Sequence, residues 1–410
     1  MKINICLLII SFLLNACQNT VEKHTLAQPV LKEIPTPCQE GGEPNLFVSE
    51  TGKVYLSYIE YQDDTTDVLM FTTLDNGKWS TPKTIASGSD WFVNWADFPS
   101  LVAYKDGGQS LATHWLQASA EGTFDYDVHI AQSLDAGQTW APSFIPHTDG
   151  VAAEHGFVSM LPLSNDRIFA TWLDGRNTKT EGQKQDGHGH GGAMTLRAAT
   201  FDRQGKLHDE VELDDMVCDC CSTSAAITDK GVIVAYRNRT EDEIRDIYVI
   251  RQDNGKWSEP HLVFNDNWHI AGCPVNGASI GANGKDVAIV WFSAPDDQPQ
   301  VKVAFSHDSG TNFSPPVRID NGKPLGRVDV VLLSDNEVLI SWMEATEKGA
   351  VIKAAKVDSK GKTGEDFVIA ASKDSRQSGF PRMVKSGNQI VFAWTAVDSL
   401  TTVKTSLMDF

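Results

Sequence analysis

The chain has 410 residues, with 54 acidic against 35 basic side chains and a formal charge of −19. A surface that acidic repels phosphate backbones, which excludes nucleic acid as a partner class. The length allows one large all-β domain or two ordinary ones, and no apolar run beyond the N-terminus is long enough to span a bilayer.

Lys2 gives a positive start, and residues 5–14 form an apolar run too short to cross a bilayer and stay there. This reads as a secretory signal. It ends in Leu14, Asn15, Ala16 and Cys17, which resembles a bacterial lipobox. The resemblance implies removal of residues 1–16 and acylation of the Cys17 sulfur. With Gln18 following, it also implies an outer-membrane lipoprotein of the cell envelope, facing the periplasm or the surface. The expected partners are the lipid bilayer, through acylated Cys17, and a small ligand, glycan or envelope protein. Residues 17–26 read as a lipid-anchored tether and residues 27–410 as the folded domain.

That domain repeats. Seven apolar, β-branched segments each carry an aromatic at the same place: Tyr58, Trp115, Trp172, Tyr236, Trp291, Trp342 and Trp394. These rings are expected in the core. Each segment is preceded by one strand and followed by another, with a hairpin turn after that. The seventh unit ends at Phe410 without its fourth strand, and residues 28–34 supply a match to the missing piece. The predicted fold is therefore an all-β, seven-bladed β-propeller of four-stranded antiparallel blades, its ring closed by an N-terminal strand.

Two of the turns carry a motif: Ser133, Asp135, Gly137, Thr139 and Trp140, and again Ser306, Asp308, Gly310 and Phe313. In such a turn Asp accepts from nearby backbone N–H groups, Gly takes positive φ, and the aromatic packs on the blade edge. The two turns resemble the Asp box, or BNR repeat, of the sialidase (neuraminidase) superfamily. That resemblance implies a structural role for the boxes. It departs in blade count, since catalytic sialidase domains have six.

In a propeller the loops entering the first strands, and those joining strands two and three, share one face. Asp97, His155, Arg176, Arg237, Arg327, Asp329 and Arg382 fall there and are the polar candidates for a ligand site. The resemblance implies an arginine clamp for a carboxylate, with Arg176, Arg237, Arg327 and Arg382 as its candidates. However, the Phe/Tyr-Arg-Ile-Pro motif is missing, and the last tyrosine, Tyr248, comes too early for the family's nucleophile. No sialidase catalytic residue is carried over. Two-carboxylate hydrolysis using Asp97, Glu154 or Asp329 stays open.

Seven cysteines are present; apart from Cys6 in the leader and Cys17, they are Cys38, Cys218, Cys220, Cys221 and Cys273. Cys221 and Cys273 lie at the starts of neighbouring blades, with Cys218 and Cys220 on the loop before. His269 precedes Cys273, and the glycine-rich loop bearing His188 and His190 belongs to the same face. Thiolates and imidazoles suit copper or zinc. In an oxidising envelope the same cysteines also suit disulfides, such as Cys221 with Cys273 and Cys38 with Cys218 or Cys220. Three functions stay open: a metal-binding or thiol-redox envelope protein, a non-catalytic ligand- or protein-binding propeller, and an exo-sialidase-like glycoside hydrolase.

Overall fold

The computed structural model describes residues 29–163, 166–179 and 192–410. The leader, the whole of the tether with Cys17, and the pair His188 and His190 lie outside them.

Seven antiparallel sheets follow one another along the chain and form a seven-bladed propeller. Blade one runs through Gly41–Val48, Val54–Tyr61 and Asp67–Asp75 to a split outer edge at Lys78–Trp79 and Lys83–Gly88. Blade two is the shortest: Ser100–Ala103, Leu111–Ala118 and Tyr126–Ser133, with its fourth strand reduced to a bridge between Ile130 and Phe144. Blade three is built from His155–Pro162, Arg167–Asp174, Met194–Asp202 and Leu207–Val217. The inner strands of blades four to seven are Ser224–Thr228, Ser279–Asn283, Pro324–Leu332 and Arg382–Ser386.

The ring closes as the repeat count requires. Leu31–Ile34 pairs antiparallel with Thr401–Asp409, Leu31 opposite Met408 and Ile34 opposite Thr405. The last strand of the chain would otherwise present an unpaired edge. Thr36 Oγ1 donates to the Val403 carbonyl at 2.6 Å and Thr405 Oγ1 to the Ile34 carbonyl at 2.8 Å, so side chains reinforce the closure.

Each seam between neighbouring blades is filled by its own apolar cluster. The repeated aromatic is the seam residue. Trp342 sits in the cluster shared by blades five and six, Trp291 in that of blades four and five, and Tyr58 in that of blades seven and one. A buried indole N–H needs an acceptor. Trp172 donates to Asp174 at 3.0 Å, Trp342 to Glu344 at 3.1 Å and Trp291 to Asp266 at 2.7 Å.

The two motif turns are clasps. Ser133 Oγ donates to Asp135 Oδ1 at 2.8 Å, and Asp135 Oδ1 accepts from the N–H groups of Gln138 and Thr139, both at 2.9 Å. Ser306 and Asp308 repeat the bonds, to Thr311 N–H at 3.0 Å and Asn312 N–H at 2.9 Å. Gly137 has φ +74°, and a Cβ there would lie 2.3 Å from Phe71. Trp140 meets Phe71 edge-on at 6.2 Å, which pins the turn to the blade before. Phe313 packs against the seam of blades four and five.

Candidate functional site

Antiparallel pairing places the start of each inner strand beside the end of the second strand; in blade three His155 lies opposite Asp174. The polar loops therefore meet on one face, around a central cavity of 280 Å³ lined by the inner strands. Asp97, Thr223, Asp329 and Arg382 reach its wall.

The cysteines gather at this mouth. Cys218, Cys220 and Cys221 form the loop between the outer strand of blade three and the inner strand of blade four, and their three Sγ atoms lie within 4.8 Å of one another. Cys218 Sγ is 3.2 Å from Cys221 Sγ and 3.9 Å from Cys220 Sγ. Cys273, on the loop entering blade five, is hydrogen-bonded to Cys220. Four sulfurs from two blades thus share one cluster. The contacts run from Cys218 to Cys221 at 3.2 Å and from Cys220 to Cys273.

No disulfide joins any of the five described cysteines, contrary to the expected pairing of Cys221 with Cys273 and of Cys38 with Cys218 or Cys220. Cys38 in particular is buried in the seam of blades seven and one, below Thr402 and Val403, whereas Val217 and Cys220 belong to the seam of blades three and four. His269 is exposed, its backbone bridged to Ile244, and its ring is not part of the sulfur group.

The sulfurs differ in charge. Burial pushes the Cys218 thiol up, but hydrogen bonds from Cys220 and Cys221 and the nearby Arg245 guanidinium outweigh it and hold Cys218 well below the thiol range. Arg245 Nη1 lies 3.3 Å from Cys218 Sγ, and its Nη2 donates to Glu243 at 2.8 Å. Cys273 is also lowered, first by its bond from Cys220. Cys220 is pushed far up because its thiol proton has Cys218, Cys221 and Cys273 as competing acceptors and because it is buried. Burial raises Cys221.

Next to the sulfurs lies a carboxyl pair. The Tyr126 hydroxyl is 2.9 Å from Glu154 Oε1 and 3.2 Å from Asp97 Oδ2. One phenol proton serves only one of them at a time, so the group is complete when a carboxyl carries a second proton. Burial accordingly pushes Glu154 up to about 8, with Asp97, Asp219 and Cys273 adding to it, and Asp97 up to about 7.

The arginines do not converge. Arg237 is buried and donates to the carbonyls of Asn276, Arg245 and Phe292. Arg327 donates to the Gly379 carbonyl at 3.1 Å and stacks over Trp95 at 4.7 Å. Arg176 forms a two-bond pair with Asp174, 2.7 Å for each contact. Arg382 is 3.7 Å from Asp329. Asp329 itself accepts from Ser279 Oγ and the Met383 N–H, both at 2.8 Å, and ties three inner strands together. Arg176, Arg237 and Arg327 are thus committed to separate structural partners, whereas Arg382 Nε makes no hydrogen bond and its side chain reaches the cavity wall.

Sequence reasoning passed over Tyr126, Asp127, His147 and Asp149. The signal was available: His147 and Asp149 stand two apart on the loop that leads into His155, behind Pro146.

No family model matches the chain, and no curated protein matches it. Among solved structures it is similar to a protein of unknown function from Dyadobacter fermentans, with TM-score 0.54 and 15% identity, covering 93% of this chain and 99% of that one. It is also similar to an endosialidase of phage phi92, with TM-score 0.51 and 10% identity over 93% of this chain and 69% of that one. An ulvan lyase from a polysaccharide lyase family matches with TM-score 0.50 and 12% identity, covering 78% of this chain and 80% of that one. At these identities the likeness is one of architecture, a sialidase-like propeller fold.

Proposed function

We propose that this protein is an envelope lipoprotein whose propeller holds a thiophilic metal ion, copper(I) or zinc, at its mouth. The observation that carries the reading is the convergence of Cys218, Cys220, Cys221 and Cys273 from two blades without a disulfide. A tetrahedral thiolate site with metal–sulfur bonds of about 2.3 Å spaces its sulfurs by roughly 3.8 Å. The Cys218–Cys220 separation of 3.9 Å is of that size, while Cys218 and Cys221, at 3.2 Å, would have to part slightly. Arg245 offsets part of the negative charge that several thiolates bring to one ion. The metal would keep the sulfurs reduced; without it, Cys218 and Cys221 are placed to act as a dithiol.

The test is titration of the purified chain with Zn²⁺ and with Cu⁺ under anaerobic conditions, reading the ultraviolet charge-transfer band of metal thiolates. Saturation at one ion per chain, lost in Cys220→Ser with Cys273→Ser, supports the reading; no band in the wild type rejects it. The lipid anchor has its own test. Cys17→Ser should move the protein from the membrane fraction to the soluble one, and unchanged partition would reject the anchor.

One observation favours a second reading, polysaccharide hydrolysis: the Tyr126 phenol lies between two raised carboxyls beside the central cavity. The endosialidase and the lyase of the same fold suggest the substrate class. The separate commitments of Arg176, Arg237 and Arg327 leave only Arg382 at the cavity, which counts against a clamp for an acidic sugar. Release of reducing ends from an oligosaccharide panel, abolished in Glu154→Gln, would establish it.

A further inference from the structure

A second cluster lies in the seam between blades two and three. Asp127 stands on the third strand of blade two, His147 and Asp149 on the loop that follows, His155 at the start of the inner strand of blade three, and Asp174 opposite it. The two histidine rings stack with centroids 3.7 Å apart and planes 7° from parallel. The side chain of His155 is fully enclosed, as is that of Asp174.

The hydrogen-bond accounting leaves a gap. His155 Nδ1 is 3.2 Å from the Ala153 carbonyl, which can only accept, so Nδ1 carries the ring proton. Burial lowers His155, but its bonds to Asp127 and Asp174 and the charges of Asp174 and Asp149 outweigh it and raise it to about 9, so an ion at Nε2 would take the place of the ring's second proton. Nε2 faces Asp149 Oδ2 at 3.4 Å and Asp174 Oδ1 at 3.6 Å. Neither Nε2 nor Asp149 Oδ2 makes a hydrogen bond, though their side chains are only 0% and 6% exposed. Three atoms of metal-ligating type, one from each of Asp149, His155 and Asp174, lie within 4.8 Å of one another.

Their spacing is informative. A charge-assisted N–H···O bond closes to about 2.7–2.9 Å. An ion bound at about 2.1 Å to tetrahedrally arranged donors holds them roughly 3.4 Å apart. We infer that Asp149, His155 and Asp174 form a binding site for a divalent transition ion of the Zn²⁺ or Mn²⁺ class. Imidazole with two carboxylates and no sulfur selects such ions over copper(I). The site is distinct from the cysteine cluster in donor chemistry and does not depend on it.

The surroundings fit a built site. Ala153 O, with Asp127 Oδ1 at 3.5 Å, orients the His155 ring through Nδ1, the outer support that metal-binding histidines have. Arg176 Nε and Trp172 Nε1 hold the Asp174 carboxylate in place. Asp174 Oδ1 accepts from Arg176 Nε at 2.7 Å and from the Arg176 backbone N–H at 3.2 Å, so an ion there takes the place of the longer contact. Arg176 Nη2 also lies 3.4 Å from Asp149 Oδ2, and Arg197 Nε lies 4.0 Å from Asp174 Oδ2. The carboxylates of Asp127, Asp149 and Asp174 balance a divalent ion together with Arg176.

The test uses the full chain with Cys218, Cys220, Cys221 and Cys273 all changed to Ser, which removes the sulfur donors. Zn²⁺ and Mn²⁺ are titrated by calorimetry and bound metal is counted after dialysis. One equivalent is expected, with affinity falling at least about tenfold in Asp149→Asn and in His155→Gln. Asp149→Asn keeps an acceptor for the Val151 N–H at 2.8 Å, so the loop retains its turn. Should the cysteine-free chain not fold, Co²⁺ bound to the wild type gives the second measurement. Visible bands without sulfur charge transfer, lost in Asp149→Asn alone, support the site. Binding of less than one equivalent to a folded cysteine-free chain, or unchanged affinity in Asp149→Asn, overturns it and leaves an ion-pair network. Failure of the sulfur site would instead remove only the charge-transfer bands.

Discussion

Arg245 Nη1 lies 3.3 Å from the Cys218 sulfur, although the two residues are 27 positions apart in sequence. The loop between the second and third strands of blade four carries the arginine, and the loop entering the same blade carries the cysteine. A cation held this close to an enclosed thiol favours its thiolate form.

Arg245→Ala should therefore raise the Cys218 thiol and weaken metal uptake, while Arg245→Lys restores part of both. Thiolate absorbance near 240 nm across a pH titration reads the first effect. An unchanged profile in Arg245→Ala would show that the neighbouring sulfurs alone set the charge of Cys218.

The carboxyl pair predicts the pH dependence of stability. Burial raises Glu154 to about 8 and Asp97 to about 7 in the folded chain, above the ordinary carboxylate range. A raised carboxyl binds its proton more tightly when folded, so its contribution is complete below the unfolded value. It is lost as pH rises towards 7 and 8. Denaturation midpoints should fall between pH 5 and pH 8, and Glu154→Gln should flatten part of that slope. A wild-type profile that rises over this interval would contradict the assignment.

Ring closure predicts a large effect from a short segment. Ile34 is 3% exposed in the seam of blades seven and one, and Ile34→Ala should cost about 2–5 kcal/mol in urea denaturation. Deleting residues 27–34 should go further, exposing the edge of Thr401–Asp409 and promoting self-association. A truncated chain that stays monomeric with an unchanged midpoint would show that the closing strand is dispensable.

The fold was legible because a propeller writes itself seven times. One aromatic per unit, from Tyr58 to Trp394, marks each seam. The lack of a fourth strand after Thr401–Asp409 points to the match at the other end of the chain. The site was legible only as a face. Spacing along the chain brought Cys218, Cys220 and Cys221 together but could not show that Cys273 meets Cys220, because that depends on how two loops turn above their strands. The fates of Arg237 and Arg327 were hidden for a similar reason. Their guanidinium partners are backbone carbonyls, which leave no trace in side-chain composition. The stacked pair of His147 and His155 needed the seam between blades two and three, which no single repeat contains.

A metal held by Cys218, Cys220, Cys221 and Cys273 would set this propeller mouth apart from a set of disulfides. The most direct measurement is elemental analysis of the full chain purified from bacterial envelopes, wild type beside Cys220→Ser with Cys273→Ser. The wild type should carry about one copper or zinc per chain attributable to sulfur, absent from the double variant. Equal metal content in the two proteins, or mass-spectrometric disulfides linking these cysteines in the native envelope, would contradict it.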